Sequence, residues 1–555
     1  MKIAIAQNNY HIGNFKENIK KIKESIIKAK DGDADLVIFS ELSVSGYPPQ
    51  DLLEQKNFVS KCENSILEIA KVCNGIAAVV GNIKINQFPR GKKLYNSAYF
   101  LYDGEVQEIH HKGLLPTYDI FDEDRYFEAN KLFSIIEFKG EKIALTICED
   151  LWEIRPTDDN FQQNFLYKNA PMQHLILQNP TLIINIAASP FSYRHIENRK
   201  KVLKINAEKY RIPIFYVNQT GANTEIIFDG GSMVINKMGR IIEELKYFEE
   251  DFKIIDLERL KKIPKKEYMY KDVEKHSSYI EKIYNALIIG TKDYFTKSNF
   301  TKANLGLSGG IDSAVTLVIA VRALGNENVK VMMMPSKYSS EHSIKDAIEL
   351  AEKLSVKYEI INIENVINSI EKTMQPIFNG LPEDTTEENI QARTRGLLLM
   401  AFANKFSHIL LNTSNKSESA VGYGTLYGDM NGGLSILGDV YKKDVFELAK
   451  FINKSDIIIP INTIEKPPSA ELKANQKDSD SLPDYDILDK ILYEYIELKK
   501  APEEIANEKV SLKLVKDIIK KVNQNEYKRY QAPPILRISS KAFGVGRRIP
   551  LVAVY

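Results

Sequence analysis

Short apolar runs alternate with longer, lysine-rich segments along the first half of the chain. Each run has a core of β-branched residues, and polar residues, Gly or Pro follow it, as is typical of strands. The segments between the runs have a helical character, and strand–helix alternation predicts a layered α/β fold. The runs are KIAIAQ, ADLVIFS, IAAVVGNI, SAYFLYD, KIALTIC, TLIINIAAS and IPIFYVNQ.

The second half opens with a helical segment, SSYIEKIYNALIIGTKDYF, and then repeats the strand–helix pattern. Its strands are NLGL, VKVMMMP, KYEIINI and HILLNTS, and each leads into a helix or loop, which predicts a parallel sheet. A charged, proline-bearing stretch at 261–271 reads as a solvated connector. We therefore predict two domains, 1–255 and 285–555, with a linker at 256–284.

Composition narrows the class of protein. Of 555 residues, 44% are hydrophobic and 27% charged, which fits a folded protein with sizeable cores. Lys and Arg number 75 and Asp and Glu 74, so no charge excess indicates a nucleic-acid or membrane-surface partner. The three cysteines lack paired spacing, and the first apolar run is too short for a signal peptide. We expect a cytoplasmic protein without a membrane span.

A glycine-rich loop, LGLSGGIDSA (305–314), lies between the strand NLGL and an apolar helix. Its glycines let backbone amides approach a ligand, and the helix N-terminus favours an anion. The lysine of a P-loop is absent, but Asp312 could hold the Mg²⁺ that accompanies a phosphate. The alternative is a turn that only packs the strand on the helix; the strand–loop–helix context favours the functional interpretation.

SGGIDS resembles the loop of the ATP pyrophosphatases, which split ATP between the α and β phosphates. Six further motifs follow in the order found in the NAD⁺ synthetase domain and cover most of residues 285–555. They are MPSKYSS, ENIQARTRG, NTSNKSE, YGTLYGDMNGG, KPPSAEL and YKRYQAPPILRISSKAFGVGRR. The resemblance implies adenylation of the nicotinate carboxylate of deamido-NAD⁺, followed by attack of ammonia.

The resemblance also implies site residues in this half. Asp312 and Glu418 are expected to share Mg²⁺. Asn389 and Arg393 are four apart, so they share one helix face. For each charge taken alone, a solvated or ion-paired surface residue is the alternative. The residues expected to bind ATP are Gly306, Leu307, Ser308, Gly309, Gly310, Ile311, Asp312, Ser313 and Thr413, and those expected to bind deamido-NAD⁺ are Asn389, Arg393, Glu418, Asp429, Lys442 and Lys528.

Three strand ends in the first half carry reactive side chains. Glu41 follows ADLVIFS, Lys112 follows VQEIHH, and Cys148 follows KIALTI. Cys62 and Cys73 have apolar neighbours and are expected in the core. With their surroundings, the three strand-end residues resemble the triad of the nitrilase superfamily over about residues 1–255. The alternative is that Glu41 and Lys112 form a structural ion pair.

The nitrilase resemblance implies that Glu41 is the general base, Cys148 the nucleophile and Lys112 the oxyanion partner. The implied substrate is glutamine. Tyr118, Glu149 and Ser189 match positions that surround it in the family. The family usually has a lysine six residues after this serine, whereas this chain has His195 there, preceded by Arg194. Either residue could meet the glutamine α-carboxylate.

Together the two halves resemble the glutamine-dependent NAD⁺ synthetase family. The implied folds are an N-terminal nitrilase-like α-β-β-α sandwich and a C-terminal Rossmann-like adenine-nucleotide α-hydrolase domain with a parallel sheet. ATP and Mg²⁺, a homo-oligomer and an ammonia tunnel are also implied. The alternatives are another glutamine-dependent ATP-pyrophosphatase amidotransferase with a different acceptor, and a non-enzymatic nucleotide sensor. The intact reactive residues disfavour the sensor.

Overall fold

A computed structural model describes residues 1–153, 167–261, 278–469, 471–473, 476, 478–480 and 482–553. The chain divides into two compact units, Met1–His276 and Ser277–Tyr555. From residue 262 onward, the connector predicted at 261–271 lies outside the described residues. The exact domain and linker bounds stay a prediction.

One sheet of the first unit has six strands in the order β14-β1-β2-β3-β4-β5. β1, β2 and β3 pair in parallel, and β14, β4 and β5 extend the sheet by antiparallel pairing. The strands are β1 (Lys2–Gln7), β2 (Leu36–Ile38), β3 (Ala77–Ile85), β4 (Leu94–Tyr102), β5 (Glu105–His111) and β14 (Asp251–Asp256).

The second sheet of this unit has the order β13-β12-β9-β8-β7-β6, and a hairpin, β10–β11, stands beside it as a separate pair. β7, β8 and β9 run parallel. The strands are β6 (Ile136–Phe138), β7 (Glu141–Ile147), β8 (Leu182–Ala187), β9 (Ile214–Asn218), β10 (Thr220–Asn223), β11 (Ile226–Asp229), β12 (Met233–Ile235) and β13 (Ile241–Glu244).

Alternation along β1 shows how the layers pack. Ile3 and Ile5 join a core cluster that contains residues of the second sheet, whereas Ala4 and Ala6 join a cluster with α1 and α2. Successive side chains point to opposite faces of a strand, so the two sheets face each other and helices cover the outside. This confirms the predicted α-β-β-α sandwich. The helices are α1 (Phe15–Asp31), α2 (Lys56–Ala70), α3 (Glu123–Tyr126), α4 (Pro171–Ile176), α5 (His195–Tyr210) and α6 (Leu257–Lys261).

The second unit contains a parallel sheet in the order β17-β16-β15-β18-β19, which confirms the prediction. The chain progresses outward from β15 to β17 and then returns to the other side of β15. The carboxyl ends of β15 and β18 therefore flank a topological switch point, where open α/β sheets bind ligands. The strands are β15 (Ala303–Gly306), β16 (Val329–Met333), β17 (Lys357–Ile360), β18 (Ile409–Asn412) and β19 (Leu434–Ser435).

Helices surround this sheet and extend beyond it. α7, α8 and α13 pack on one another, and α11 packs on β15 and β18. A separate apolar cluster joins α12 to α15, α16 and α17, which fixes the helix that follows β18. The helices are α7 (Tyr279–Lys297), α8 (Ile311–Leu324), α9 (Glu341–Lys353), α10 (Glu364–Phe378), α11 (Thr385–Phe406), α12 (Lys416–Val421), α13 (Lys442–Ile452), α14 (Ile461–Glu465), α15 (Tyr485–Ile496), α16 (Pro502–Ile505), α17 (Leu512–Gln524) and α18 (Glu526–Arg529). Within the described residues, we find no helix long and apolar enough to span a bilayer.

Gly81 in β3 lies against the loop that follows β2. A Cβ atom at this position would be 2.4 Å from the backbone nitrogen of Leu42 and 2.4 Å from the carbonyl oxygen of Ser40. Backbone atoms cannot yield as a flexible side chain can, so the close approach of β3 to this loop requires glycine.

We expect Gly81→Ala to destabilise the first unit by about 1–3 kcal/mol, because the loop at 40–42 must move to relieve the overlap. Denaturant unfolding followed by fluorescence of the single tryptophan, which belongs to this unit, measures the loss. Gly32→Ala is the control, since the one atom that its Cβ would overlap is the movable Cδ1 of Ile254, and the nearest backbone atoms stay at ordinary contact distance. Equal stability of the two variants would contradict the close-approach argument.

Candidate active sites

Three strand ends of the first unit meet in a buried cluster. Glu41 lies three residues after β2, Lys112 directly follows β5, and Cys148 directly follows β7. Lys112 Nζ donates to Glu41 Oε1 at 2.6 Å, and both side chains are essentially inaccessible to solvent. Glu41 raises the pKa of the Cys148 thiol and Lys112 lowers it, so the three predicted residues lie in one cluster.

A second carboxylate, Glu123 in α3, completes the cluster. It was not predicted as a site residue from the sequence. Lys112 Nζ donates to both of its oxygens at 2.8 Å, and Tyr47 Oη donates to Oε1 at 2.9 Å. Glu123 stands in the acidic stretch FDEDRYF, where nothing in the sequence distinguishes it from Asp122 and Asp124. Its importance arises from the fold.

Burial controls the charges in this cluster. It raises the pKa of the Cys148 thiol well above the ordinary value, and Glu41 raises it further, while Lys112 opposes the change. Burial alone would lower the pKa of Lys112, but Glu123 and Glu41 raise it well above its ordinary value. Burial raises the pKa of Glu123 to about 7, with a further contribution from Glu41. The resting thiol is therefore neutral and needs a base, while the lysine is a permanent cation.

The backbone at Cys148 adopts a left-handed conformation, with φ of 43°. Such a conformation costs about 1–3 kcal/mol and persists where the surroundings enforce it. Asp150 enforces it here: its carboxylate accepts from Ile147 N at 3.0 Å and from Gly113 N and Leu114 N at 2.9 Å each. One buried side chain thus ties the cysteine turn to the segment that follows the lysine.

The residues predicted around the glutamine side chain lie close to this cluster. Glu149 is buried and accepts from Tyr118 Oη at 3.0 Å and from Tyr167 Oη at 2.9 Å. Tyr167, in the segment NFLYKNA, was not predicted, because it lies outside the strand ends and motifs that the sequence analysis used. A carboxylate held by two phenols is suited to an ammonium group.

Ser189 and His195 are also adjacent. Ser189 Oγ and His195 Nε2 are 3.0 Å apart, and the imidazole stacks on Trp152 with ring centroids separated by 5.1 Å. Arg194 is exposed and precedes the first turn of α5. The structure thus holds His195, rather than Arg194, against the predicted serine.

The second unit has a cavity of about 310 Å³ at the switch point between β15 and β18. All but one of the residues of the glycine-rich loop that were predicted to bind ATP line it, and Thr413 lines it too. Gly309 is the exception: its φ is 78°, and a Cβ there would be 2.2 Å from the carbonyl oxygen of Ser343 in α9. This glycine permits contact between the loop and α9.

A lysine lies between two carboxylates at the edge of the cavity. Lys442 Nζ is 2.5 Å from Asp312 Oδ2 and 3.2 Å from Glu418 Oε1. Asn415 connects the carboxylates from the other side: its Nδ2 donates to Asp312 Oδ1 at 2.8 Å, and its backbone N–H donates to Glu418 Oε2 at 3.3 Å. Burial raises the pKa of Glu418 to about 8; Lys442 opposes the shift and Asp312 adds to it.

The two carboxylates are suited to bind a divalent cation, because both lie at short distance from the same positive charge, the Lys442 ammonium. Over the described ranges, we find no group of three or more His, Cys, Asp or Glu side chains placed to hold a metal. A cation here would therefore take its remaining oxygen ligands from phosphate and water, as Mg²⁺ commonly does at nucleotide sites.

The other predicted deamido-NAD⁺ contacts fall into two groups. Asp429 lines the cavity and accepts from Thr425 N at 2.5 Å. The other three residues instead form hydrogen bonds with the segment 422–426, which is part of the cavity wall; they are Asn389, Arg393 and Lys528. Asn389 Oδ1 accepts from Thr425 Oγ1 at 2.7 Å, Arg393 Nε donates to the Leu426 carbonyl at 3.2 Å, and Lys528 Nζ donates to the carbonyls of Gly422 and Gly424 at 2.8 Å each.

Sequence reasoning named the motif KPPSAEL without assigning roles within it. Glu471 of this motif accepts from Ser343 Oγ at 2.7 Å and from Ser340 Oγ at 2.9 Å. Lys466 Nζ donates to Ser343 Oγ at 3.0 Å. The motif is thereby attached to the start of α9, and both charged residues line the cavity.

Comparison with known proteins identifies the family that each half of the chain matches. Residues 2–263 match the carbon-nitrogen hydrolase family, and residues 283–532 match the NAD synthase family. The glutamine-dependent NAD(+) synthetase of Synechocystis sp. is 43% identical, with 100% of this chain and 99% of the relative covered. That of Acinetobacter baylyi is 40% identical, with coverage of 99% and 98%.

A solved structure extends this likeness to the fold. The glutamine-dependent NAD+ synthetase from Acinetobacter baumannii, in complex with ADP, matches with a TM-score of 0.76 at 39% identity and covers 99% of this chain and 98% of its own. Identity at this level along the whole chain, with both sites formed, decides the family. The chain belongs to the glutamine-dependent NAD⁺ synthetases.

Proposed function

We propose that the chain converts deamido-NAD⁺ to NAD⁺, using ATP to activate the nicotinate carboxylate and glutamine to supply the nitrogen. The observation that carries the proposal is full-length identity to relatives named for this activity, in a chain that contains both a buried thiol cluster and a phosphate-loop cavity. Either site alone would fit a narrower reaction.

In the first unit, Glu41 accepts the thiol proton as Cys148 Sγ attacks the carboxamide carbon of glutamine. The buried ammonium of Lys112 stabilises the oxyanion of the tetrahedral intermediate. As the intermediate collapses, the C–N bond breaks and the proton passes from Glu41 to the leaving ammonia. Glu41 then deprotonates a water that attacks the thioester carbon; the C–S bond breaks, glutamate leaves, and the proton returns from Glu41 to the Cys148 thiolate. The neutral resting thiol and permanently charged lysine support this division of roles.

Glutamine recognition uses groups of both signs. Glu149, with Tyr118 and Tyr167, suits the α-ammonium group. Ser189 and His195 suit the α-carboxylate, and the contact between them supports His195 over the exposed Arg194.

In the second unit, the nicotinate carboxylate attacks the α-phosphorus of ATP, pyrophosphate leaves, and an acyl-adenylate forms. Ammonia then attacks the acyl carbon, and AMP departs. The loop Ser308–Ser313 and the N-terminus of α8 are suited to the pyrophosphate. Asp429 and Lys442 reach the same cavity and are suited to bind the dinucleotide beside it.

Asp312 and Glu418 would hold Mg²⁺, which when bound neutralises phosphate charge and polarises the phosphoryl oxygens. Asn415 orients the two carboxylates, and Lys442 balances them. Transfer of ammonia through an enclosed route, a homo-oligomeric state and a cytoplasmic location stay predictions from the family resemblance.

We expect Cys148→Ala to make no NAD⁺ from glutamine, because it lacks the nucleophile, and yet to make NAD⁺ from ammonium salts, increasingly as pH rises and more NH₃ is present. The loss with glutamine should be several orders of magnitude. Mass measurement of NAD⁺ made from glutamine labelled with ¹⁵N in the amide tests nitrogen transfer in the wild type.

Cys62→Ala is the matched control, because Cys62 is a buried cysteine of α2 in the same unit. It should retain glutamine-driven synthesis. Loss of both activities in a folded Cys148→Ala protein would refute the two-catalyst proposal, and unlabelled NAD⁺ from the wild type would refute glutamine as the donor.

We expect His195→Lys to lower the KM for glutamine roughly five- to tenfold at pH 8.5, with a smaller effect at pH 6. A lysine stays charged over this range, whereas an ordinary imidazole is mostly neutral above pH 7, and a charged donor binds a carboxylate more strongly. Steady-state kinetics at the two pH values measure the difference. If His195→Lys leaves KM unchanged and Arg194→Ala raises it, Arg194 is the carboxylate partner.

We expect Asp312→Asn to reduce pyrophosphate release by roughly 10²–10³-fold while glutamine hydrolysis persists, because one of the two proposed Mg²⁺ ligands becomes neutral. Asp486→Asn is the control: this exposed aspartate also pairs with a lysine, Lys443, at 3.6 Å, but does not line the cavity. Full NAD⁺ synthesis by Asp312→Asn would contradict the metal assignment.

A further inference from the structure

Asn96 in β4 touches both carboxylates of the thiol cluster, although no part of the triad assigns it a role. Its side chain is 1% exposed. Nδ2 donates to Glu41 Oε1 at 2.7 Å and to Glu123 Oε2 at 3.3 Å. Its backbone carbonyl accepts from Lys112 N at 2.9 Å, so the same residue also fixes the start of the lysine segment.

The hydrogen bonds from Asn96 reduce the repulsion between two buried carboxylates that share one cation. Glu41 and Glu123 both bond the one ammonium of Lys112, so two carboxylates are held near each other in a buried space. An amide –NH₂ can offer one N–H to each carboxylate and adds no net charge. A second lysine would remove the negative charge that a base needs.

The other end of the amide supports this reading. Asn96 Oδ1 is buried and, in the part of the chain that the structure describes, accepts no hydrogen bond. Leaving a buried acceptor unsatisfied is unfavourable. The two carboxylates therefore determine the orientation of this side chain, since the reversed amide would point its oxygen at them.

We propose that Asn96 is a positioning residue for glutamine hydrolysis, whose side-chain amide sets the spacing and orientation of Glu41 and Glu123 around Lys112. The inference rests on the proposed function of the first unit. Glu41 Oε2 is held separately by Ala188 N at 2.9 Å, so Asn96 and Lys112 determine how its other oxygen is placed.

A positioning role has a consequence for the pH profile. Hydrogen bonds donated to a carboxylate favour its ionised form, so their removal raises the pH at which the cluster gains a proton. Hydrolysis needs the ionised base and is lost as pH falls, so its acid limb moves to higher pH. This limb belongs to the coupled cluster rather than to one residue. The charged and titratable groups that face it are Tyr47, Lys112, Glu123, Cys148, Glu149 and Asp150.

The test uses the full chain and two substitutions of similar size, Asn96→Leu and Asn96→Asp. Leucine removes both N–H donors, and aspartate adds a third carboxylate. For Asn96→Leu we expect kcat for glutamate release to fall about 10–100-fold. The glutamine KM should change less than about twofold, and the acid limb should rise by about one pH unit. Asn96→Asp should shift the limb further in the same direction.

Asn82→Leu is the matched control. Asn82 lies in the adjacent strand β3, is equally buried and donates Nδ2 to the Cys62 carbonyl at 2.8 Å. Among the described residues, its buried Oδ1 also accepts no hydrogen bond. Its replacement removes a structural hydrogen bond, so it should leave the acid limb where the wild type has it. Ammonium-driven NAD⁺ synthesis, which depends on the second unit, should persist in every variant.

The outcomes distinguish failure of the positioning role of Asn96 from failure of the proposed glutamine hydrolysis. A wild-type acid limb in Asn96→Leu, or an equal shift in Asn82→Leu, would overturn the positioning role. If Asn96→Leu does not fold, Asn96→Asp decides, and an unshifted limb there overturns the role as well. A wild-type protein that releases no glutamate through Cys148 would instead refute the proposed function.

Discussion

The first unit depends on one constraint: a lysine that is buried must have its charge balanced. Lys112 is shielded from solvent and is bonded to Glu41 and Glu123. Removing one partner of such a cluster leaves an uncompensated charge in a low dielectric, which is strongly unfavourable. Lys442 has the same arrangement in the second unit, between the two carboxylates proposed to hold Mg²⁺. In both sites, the cation that orders the carboxylates is part of the protein.

The fold creates these buried places by bringing strand ends together. In the first unit, the two sheets face each other, so residues that follow β2, β5 and β7 meet although they are far apart in sequence. In the second unit, the reversal of strand order between β15 and β18 opens the cavity. The first geometry buries a thiol among charged groups, and the second forms a cavity beside the glycine-rich loop.

Most of the strands could be predicted from the sequence. All seven runs of the first half and all four of the second contain a strand, because β-branched and aromatic residues favour strands. The short antiparallel strands β6 and β10 to β14 were not predicted. β6 and β10 to β13 have only three or four residues, which is too few for a recognisable periodicity, and the six residues of β14 include three charged ones.

At the sites, the sequence by itself determined which residues are reactive and stand at a recognisable position, the end of a strand. Glu41 and Cys148 follow apolar strands, and Lys112 follows the more polar strand β5. In each case the end of the strand is recognisable without a structure. Only the tertiary structure decided that Glu123 and Asn96 join them. One stands in an acidic stretch and the other within a strand, so their side chains acquire meaning from what lies across the sheet. Local patterns record neighbours along the chain, whereas the pairing of buried charges depends on neighbours in space.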